Sequence, residues 1–348
     1  MNYKEQLDHI RFTPEQKADM VEQILAAQSQ PVPRKRKFHL PRMAVIGVAA
    51  AMVLTIGAGA SGALRSAGEA FAGVFGRSAA ETEIIDKIGR PIGASDSNNG
   101  VTITADAIIG DKYHYAITYT ITKDDGSAFD MADDIGNGYL PLMFEQQDTY
   151  FGNMGGAHGT SYFYDADPND NAIQFVEMRE TDREIPHSTA KATFENIRMQ
   201  NNGQDDILVN GKWKLKFEMN FEDTAISLPA GQTMQLNGMD IEINAITLSP
   251  IALRVDYTVD SEIKWDENAK SGRVSEKDRK SQQKYFEDLR IFVNKKDGTS
   301  IDLSLSGGSV KPEDGKTICQ KGEVFEQILP LEDIASITVG DLEIPVNV

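Results

Sequence analysis

Residues 99–122 read NGVTITADAIIGDKYHYAITYTIT, and residues 237–260 read NGMDIEINAITLSPIALRVDYTVD. They align without a gap at an offset of 138. Seven of 24 positions are identical: Asn99/Asn237, Gly100/Gly238, Ile103/Ile241, Ala107/Ala245, Ile108/Ile246, Tyr119/Tyr257 and Thr120/Thr258. In the first copy Val101, Ile103 and Ala105 alternate with Thr102 and Thr104. Tyr115, Ile117, Tyr119 and Ile121 alternate with Ala116, Thr118 and Thr120. Further along, Trp213, Leu215, Phe217, Met219 and Phe221 alternate with Lys214, Lys216, Glu218 and Asn220. A period of two with one apolar face marks antiparallel strands that are half-buried on a core. Asp125-Gly126 and Asp297-Gly298 are hairpin-type turn dipeptides. The repeat, at an offset near one domain length, indicates a duplicated unit. The expected fold is mainly β, with two tandem immunoglobulin-like β-sandwiches over 96–228 and 229–348.

Between the strand signals lie two polar stretches. Residues 148–170 are rich in Gly, Asp and Tyr and read as a long connector, with a mobile binding loop as the functional alternative. Residues 264–288 hold 13 charged side chains and read as a solvated insertion, in which Ser275 and Asp278 can start a short surface helix.

Upstream of the β region the charge pattern divides the chain. Residues 1–42 carry 8 Lys+Arg against 5 Asp+Glu, residues 43–64 carry no charge, and residues 65–348 carry 27 Lys+Arg against 48 Asp+Glu. Met43 to Leu64 would form a helix of about 33 Å, enough for a hydrocarbon core of about 30 Å. Arg34, Lys35, Arg36, Lys37 and Arg42 precede it. Basic flanks stay in the cytoplasm, so the expected topology has the N-terminus inside and residues 65–348 outside. A cleaved signal peptide is the rival reading, with Ala58-Gly59-Ala60 as its cleavage site. The 42-residue polar head and 22-residue apolar run both exceed the usual signal-peptide regions.

The head, 1–42, is too short for a core of its own. Thr13, Pro14 and Gln16 form a helix start signal, and the helix continues to about Gln28. Ala18, Val21, Ile24 and Leu25 share one stripe, with Met20 at its edge. A helix this short is marginal alone. The stripe therefore reads as a partner-binding surface. Residues 65–95 form a juxtamembrane segment in which Phe71, Val74, Phe75, Ile84, Ile85 and Ile88 recur at helical spacing. The turn-rich Ala94–Gly100 closes it.

Little in the sequence points to chemistry. A net charge of -18 argues against direct nucleic-acid binding. Asp165 to Asp170 is a poor calcium loop, with Asp170 where Gly is needed and Val176 where a bidentate Glu is needed. His114, His158 and His187 lack metal-ligand spacing, and Cys319 reads as a small buried residue. No Gly-x-Ser-x-Gly, His-Glu-x-x-His or phosphate-cradling loop is present. The expectation is a protein that is not an enzyme and needs no metal or cofactor.

This arrangement resembles the membrane-bound anti-sigma-factor-like proteins of Gram-positive bacteria. The resemblance is carried by the Thr13–Leu25 helix, the Ala-rich span and Phe71-Ala72-Gly73-Val74-Phe75. The Asn99-Gly100-Val101-Thr102-Ile103-Thr104 strand, the Asp111-Lys112-Tyr113 hairpin and Leu248-Ser249-Pro250 of the second unit add to it. It implies that the head sequesters an extracytoplasmic-function sigma factor. The outer domains would sense an envelope ligand, and release would follow a conformational change or cleavage by a membrane protease. The head has no zinc-binding His/Cys set of the kind some anti-sigma factors use. The competing reading is a membrane-anchored envelope-binding or adhesion protein that binds no sigma factor.

Overall fold

The computed structural model of the chain describes residues 65–130, 138–201, 204–267 and 274–348. The expected partner stripe (Ala18, Met20, Val21, Ile24, Leu25), the basic flank and the 43–64 span lie outside the described residues. Among the described residues no helix is long and apolar enough to cross a membrane.

The body is mainly β. Two helices lead into it, α1 (Ala67–Phe75) and α2 (Ala79–Ile88). Each begins with a serine capping box, Ser66 with Glu69 and Ser78 with Glu81, so their first-turn N–H groups are satisfied locally. The first β half contains β1 (Arg90–Asn98), β2 (Val101–Gly110), β3 (His114–Lys123), β4 (Tyr139–Leu140), β5 (Leu142–Tyr150), β6 (Ala157–Tyr164), β7 (Ile173–Thr181), β8 (Thr189–Asn201) and β9 (Gln204–Glu218). One sheet runs β1-β2-β3-β7-β6-β4, and a second runs β5-β8-β9. One core joins them. Tyr119 and Phe175 from the first sheet meet Phe144 and Phe194 from the second, with ring centroids 5.0–5.9 Å apart. Trp213 is fully buried there and donates Nε1–H to the Val101 carbonyl at 2.9 Å. All five apolar residues of the Trp213–Phe221 alternation are buried, and the four polar ones between them are exposed.

The second half contains β10 (Ile226–Leu228), β11 (Thr233–Leu236), β12 (Met239–Leu248), β13 (Ala252–Val259), α3 (Glu276–Gln282), β14 (Ile291–Lys295), β15 (Ser300–Asp302), β16 (Gly308–Glu313), β17 (Lys316–Val324), β18 (Ile334–Val339) and β19 (Leu342–Pro345). Its sheets run β10-β12-β13-β17-β16, with β11 also on β12, and β15-β14-β18-β19. Seven strands of each half correspond: β2-β3-β7-β6 to β12-β13-β17-β16, and β5-β8-β9 to β14-β18-β19.

The match extends to single residues. Asn99-Gly100 and Asn237-Gly238 both take left-handed φ, at 49° and 78° and at 51° and 75°. Those are the angles a two-residue primed hairpin turn requires. Both hairpins carry a bulge at the equivalent residue, Asp106 in one and Asn244 in the other. Thr120 Oγ1 donates to the Asp106 carboxylate at 2.7 Å, and Asn244 Nδ2 donates to Thr258 Oγ1 at 2.8 Å. The offset of 138 is preserved throughout these two hairpins.

Some elements fall elsewhere than the sequence suggests. Ala94 to Asn98 is strand rather than turn. It lies in β1, which starts at Arg90 inside the expected 65–95 segment, because pairing to Val101–Ala105 supplies what Ser, Asp and Asn propensities do not. Only Asn99-Gly100 is the turn. The expected connector 148–170 contains the end of β5 and all of β6, which pairs along its whole length with β7. The first-half boundary expected at 228 falls earlier, since β10 already pairs with β12. In the charged insertion, α3 starts at Ser275, whose side chain accepts from the Asp278 N–H. A π-helical turn, Gln283–Glu287, follows and buries Tyr285 and Phe286.

A third apolar cluster lies between the halves. Phe71, Phe75, Ile85 and Ile88 of α1 and α2 pack with Ile109, Ala116, Val176 and Met178 of the first half and with Ile251, Ala252, Val324 and Ile328 of the second. The helices that adjoin residue 64 are thereby built into the junction.

Candidate functional site

The hairpin tips meet at the junction. Asp111 ends the β2 strand and folds back: its Oδ1 accepts from the N–H groups of Tyr113 at 2.9 Å and His114 at 2.8 Å. Ser249, 138 residues later, does the same at the β12–β13 tip. Its Oγ accepts from the N–H groups of Ile251 at 3.3 Å and Ala252 at 3.1 Å. Both are local side-chain turns. The Ser249 hydroxyl donates to Asp111 Oδ2 at 2.5 Å, so equivalent residues of the two halves bond each other directly.

Around this contact lies a buried charge network. His114 Nδ1 is 2.9 Å from Asp111 Oδ1, and its Nε2 faces Glu180 Oε2 at 3.5 Å. His158 Nε2 approaches the same oxygen at 3.3 Å. From the second half, Arg254 Nη1 lies 3.6 Å from Glu180 Oε1 and donates to the Thr181 carbonyl at 2.8 Å. The Arg254 guanidinium also forks onto Asp256 and lies 3.9 Å from the centre of the Tyr113 ring. Asp111, His114, Glu180 and Arg254 are all buried. The carboxylates and cations alternate, which is what makes their burial tolerable.

The charges hold one another ionised. Burial disfavours the His114 imidazolium, but the Asp111 and Glu180 carboxylates raise its pKa to about 10. Burial likewise opposes the Glu180 charge, yet the His114 and His158 imidazoles beside it bring its pKa to about 2. Asp111 is desolvated too, and the His114 charge still holds it below the ordinary carboxylate range.

These shifts set a pH dependence. The His114 contribution is complete below its ordinary value of 6.5 and is lost as the pH rises through about 10. The Glu180 contribution is complete above 4.5 and is lost as the pH falls through about 2. The denaturation midpoint of the protein should therefore fall between pH 6.5 and 10, and His114→Gln should flatten that alkaline limb. An alkaline limb of equal slope in His114→Gln would assign the decline to other groups.

Asp111 touches both Ser249 and His114, but the order is wrong for nucleophilic catalysis. A catalytic serine gives its proton to the imidazole, and the carboxylate stands behind the imidazole. Here Asp111 stands between the hydroxyl and the imidazole. The arrangement joins two domains rather than activating an oxygen.

Beside the network the surface opens into a cleft of about 690 Å³ between the halves. His158, Gly159 and Thr160 of β6 line one side, and Ser304 to Gly308 leading into β16 line the other. Lys321 is buried at the base and donates Nζ–H to the carbonyls of Phe286 at 3.0 Å and Leu289 at 2.9 Å. That caps the π-helical turn, and burial lowers the Lys321 pKa to about 8. Among the described residues, no group of three or more His, Cys, Asp or Glu side chains is placed to hold a metal ion. The Asp165–Asp170 segment forms successive side-chain turns, Asp165 accepting from Asp167 N–H and Asp167 from Asn169 N–H. Cys319 is buried in the second core, and burial pushes its thiol pKa up to about 12.

This network was missed in the sequence. Its members come from β3, β6, β7 and β13, and no local motif links them. The available signals were a histidine and an arginine interrupting apolar strands, at His114 and Arg254, and two turn-forming residues, Asp111 and Ser249, exactly one repeat apart.

No protein family matches the chain, and neither does any curated protein. A solved structure, that of a conserved domain protein from Bacillus anthracis, is similar over 72% of this chain and 75% of its own, with 14% identity and a TM-score of 0.45.

Proposed function

We propose that this protein is a single-pass membrane anti-sigma factor of the Gram-positive type. Its head, 1–42, lies in the cytoplasm and sequesters an extracytoplasmic-function sigma factor. Its span is 43–64. Its outer body, read as two immunoglobulin-like sandwiches, senses an envelope ligand. The observation that carries the reading is the order of parts: Arg34, Lys35, Arg36, Lys37 and Arg42, then 22 uncharged residues, then an acidic β body. The sandwich reading is supported by the paired sheets around each core. The β1-β2-β3 meander departs from strict immunoglobulin connectivity. No catalytic role is proposed.

The junction gives this reading a route for a signal. α1 and α2 directly follow the span and pack on both halves. A ligand that changed the angle between the halves would have to move those helices, and with them the span. Release of the sigma factor would follow that movement or cleavage by a membrane protease. The alternative, an envelope-binding or adhesion protein without sigma binding, draws its support from the cleft alone.

The test is in the head of the full-length protein. Val21, Ile24 and Leu25 would each bury an apolar side chain contributing on the order of 1.5–3 kcal/mol. Val21→Asp would place an unpaired carboxylate in that contact. It should abolish co-purification of a sigma factor with the full-length protein and raise a reporter driven by that factor's promoter. The amount of membrane-inserted protein should not change. Glu22→Gln, an exposed-face change that alters no apolar side chain of the stripe, should change neither. An unchanged reporter, with no sigma factor co-purifying with the native protein, gives the ground to the envelope-binding alternative.

A further inference from the structure

We propose that the cleft between β6 and β16 binds an organic cation, an ammonium or guanidinium group carried on a short apolar or peptide chain. The proposal concerns the body alone and stands apart from the sigma-factor reading.

The charges of the cleft are unevenly committed. Its basic side chains are occupied by the protein itself: Lys321 by main-chain carbonyls, Arg179 by the Thr160 carbonyl at 2.7 Å, and His158 by Glu180, 3.3 Å from its Nε2. Glu180 is held from behind by His114 and Arg254. Glu287 and Glu323 also line the cleft, are exposed, and form no ion pair among the described residues. Desolvation, together with Glu326 and Glu180, holds the Glu323 carboxyl above its ordinary range, with the His158 charge opposing the shift.

A second observation points the same way. Ser306 lines the cleft, is 4% exposed, and its Oγ has no hydrogen-bond partner among the described residues. Buried hydroxyls are nearly always bonded, and one without a partner is costly to leave so. A donor entering the cleft would satisfy it.

The remaining lining favours an organic ligand over a bare metal ion. Leu305 is 95% exposed at the edge of the cleft, and Phe286 and Val324 add apolar surface. A hard cation needs six or more oxygen ligands, and the described residues offer no such set. Gly159 and Gly308 let neighbouring strands close up, since a Cβ there would meet the Met178 and Gln320 carbonyl oxygens. A Cβ on Gly307 would lie 2.9 Å from the His158 ring. A guanidinium suits a carboxylate better than a compact ammonium does, because its fork can serve both oxygens at once.

The experiment is a calorimetric titration of the full-length protein in non-ionic detergent. The probes are acetyl-Leu-Arg-amide and its citrulline counterpart, which keeps the shape and loses the charge. The arginine peptide should bind with a Kd of about 1 mM or tighter, and the citrulline peptide about tenfold more weakly. Glu287→Gln with Glu323→Gln, both at exposed positions, should weaken the arginine peptide about tenfold while leaving the denaturation midpoint unchanged. Ser306→Ala should weaken both peptides. Equal affinity for the two peptides, an unaffected double variant, or no saturation by about 10 mM would each overturn the proposal. Because Val21→Asp reports only on the head, the two readings can fail separately.

Discussion

Arg254→Ala should lower the unfolding free energy by about 3–5 kcal/mol, the cost of leaving a buried charge without its partner. The guanidinium comes from the second half and serves three groups of the first: the Glu180 carboxylate, the Thr181 carbonyl and the Tyr113 ring. Its loss leaves Glu180 with only the imidazoles of His114 and His158, and Asp256 with no cation at its carboxylate. Arg254→Lys should recover little, since an ammonium cannot span Asp256 and Thr181 together. Denaturant unfolding measures the loss. It should also split the transition, because the network couples halves that each own a core. A loss below about 1 kcal/mol would reduce the network to the value of a surface ion pair.

Trp213→Ala should cost about as much, roughly 3–5 kcal/mol, by another mechanism. The indole is fully buried between β8 and β2 and gives up both its packing and the hydrogen bond to Val101. Gly211 is shaped to it, since a Cβ there would lie 2.6 Å from the indole ring. The damage should stay local. Amide exchange should accelerate in β2, β8 and β9 while the core around Tyr257 and Ile337 keeps its protection. Equal acceleration in both halves would mean that the body unfolds as one unit.

These two residues also mark what could be read from the sequence. Trp213 sits in a clean alternation, and its burial follows from period two alone. The Asn-Gly turns and the offset of 138 were likewise legible, because hairpin chemistry and side-chain alternation are local. Arg254 was not. It stands in an apolar strand where an isolated cation is out of place, and its partners in the first half are 73 to 141 residues away. Long-range charge pairing leaves no periodic trace. β1 was hidden for a related reason: Ser95, Asp96, Ser97 and Asn98 have turn propensities, and only the register with β2 makes them strand. Cys319 and the Ser275-capped helix were readable because burial of a small residue and an N-cap each depend on their neighbours in sequence.

The central claim is that the chain divides across a membrane, head inside and β body outside. Protease added to intact, wall-stripped cells tests it most directly, with antibodies against residues 1–42 and against the body. The account predicts that the body is digested while a head-plus-span fragment survives until the membrane is permeabilised. A head digested in intact cells, or a mature chain that begins after Ala60, would contradict it.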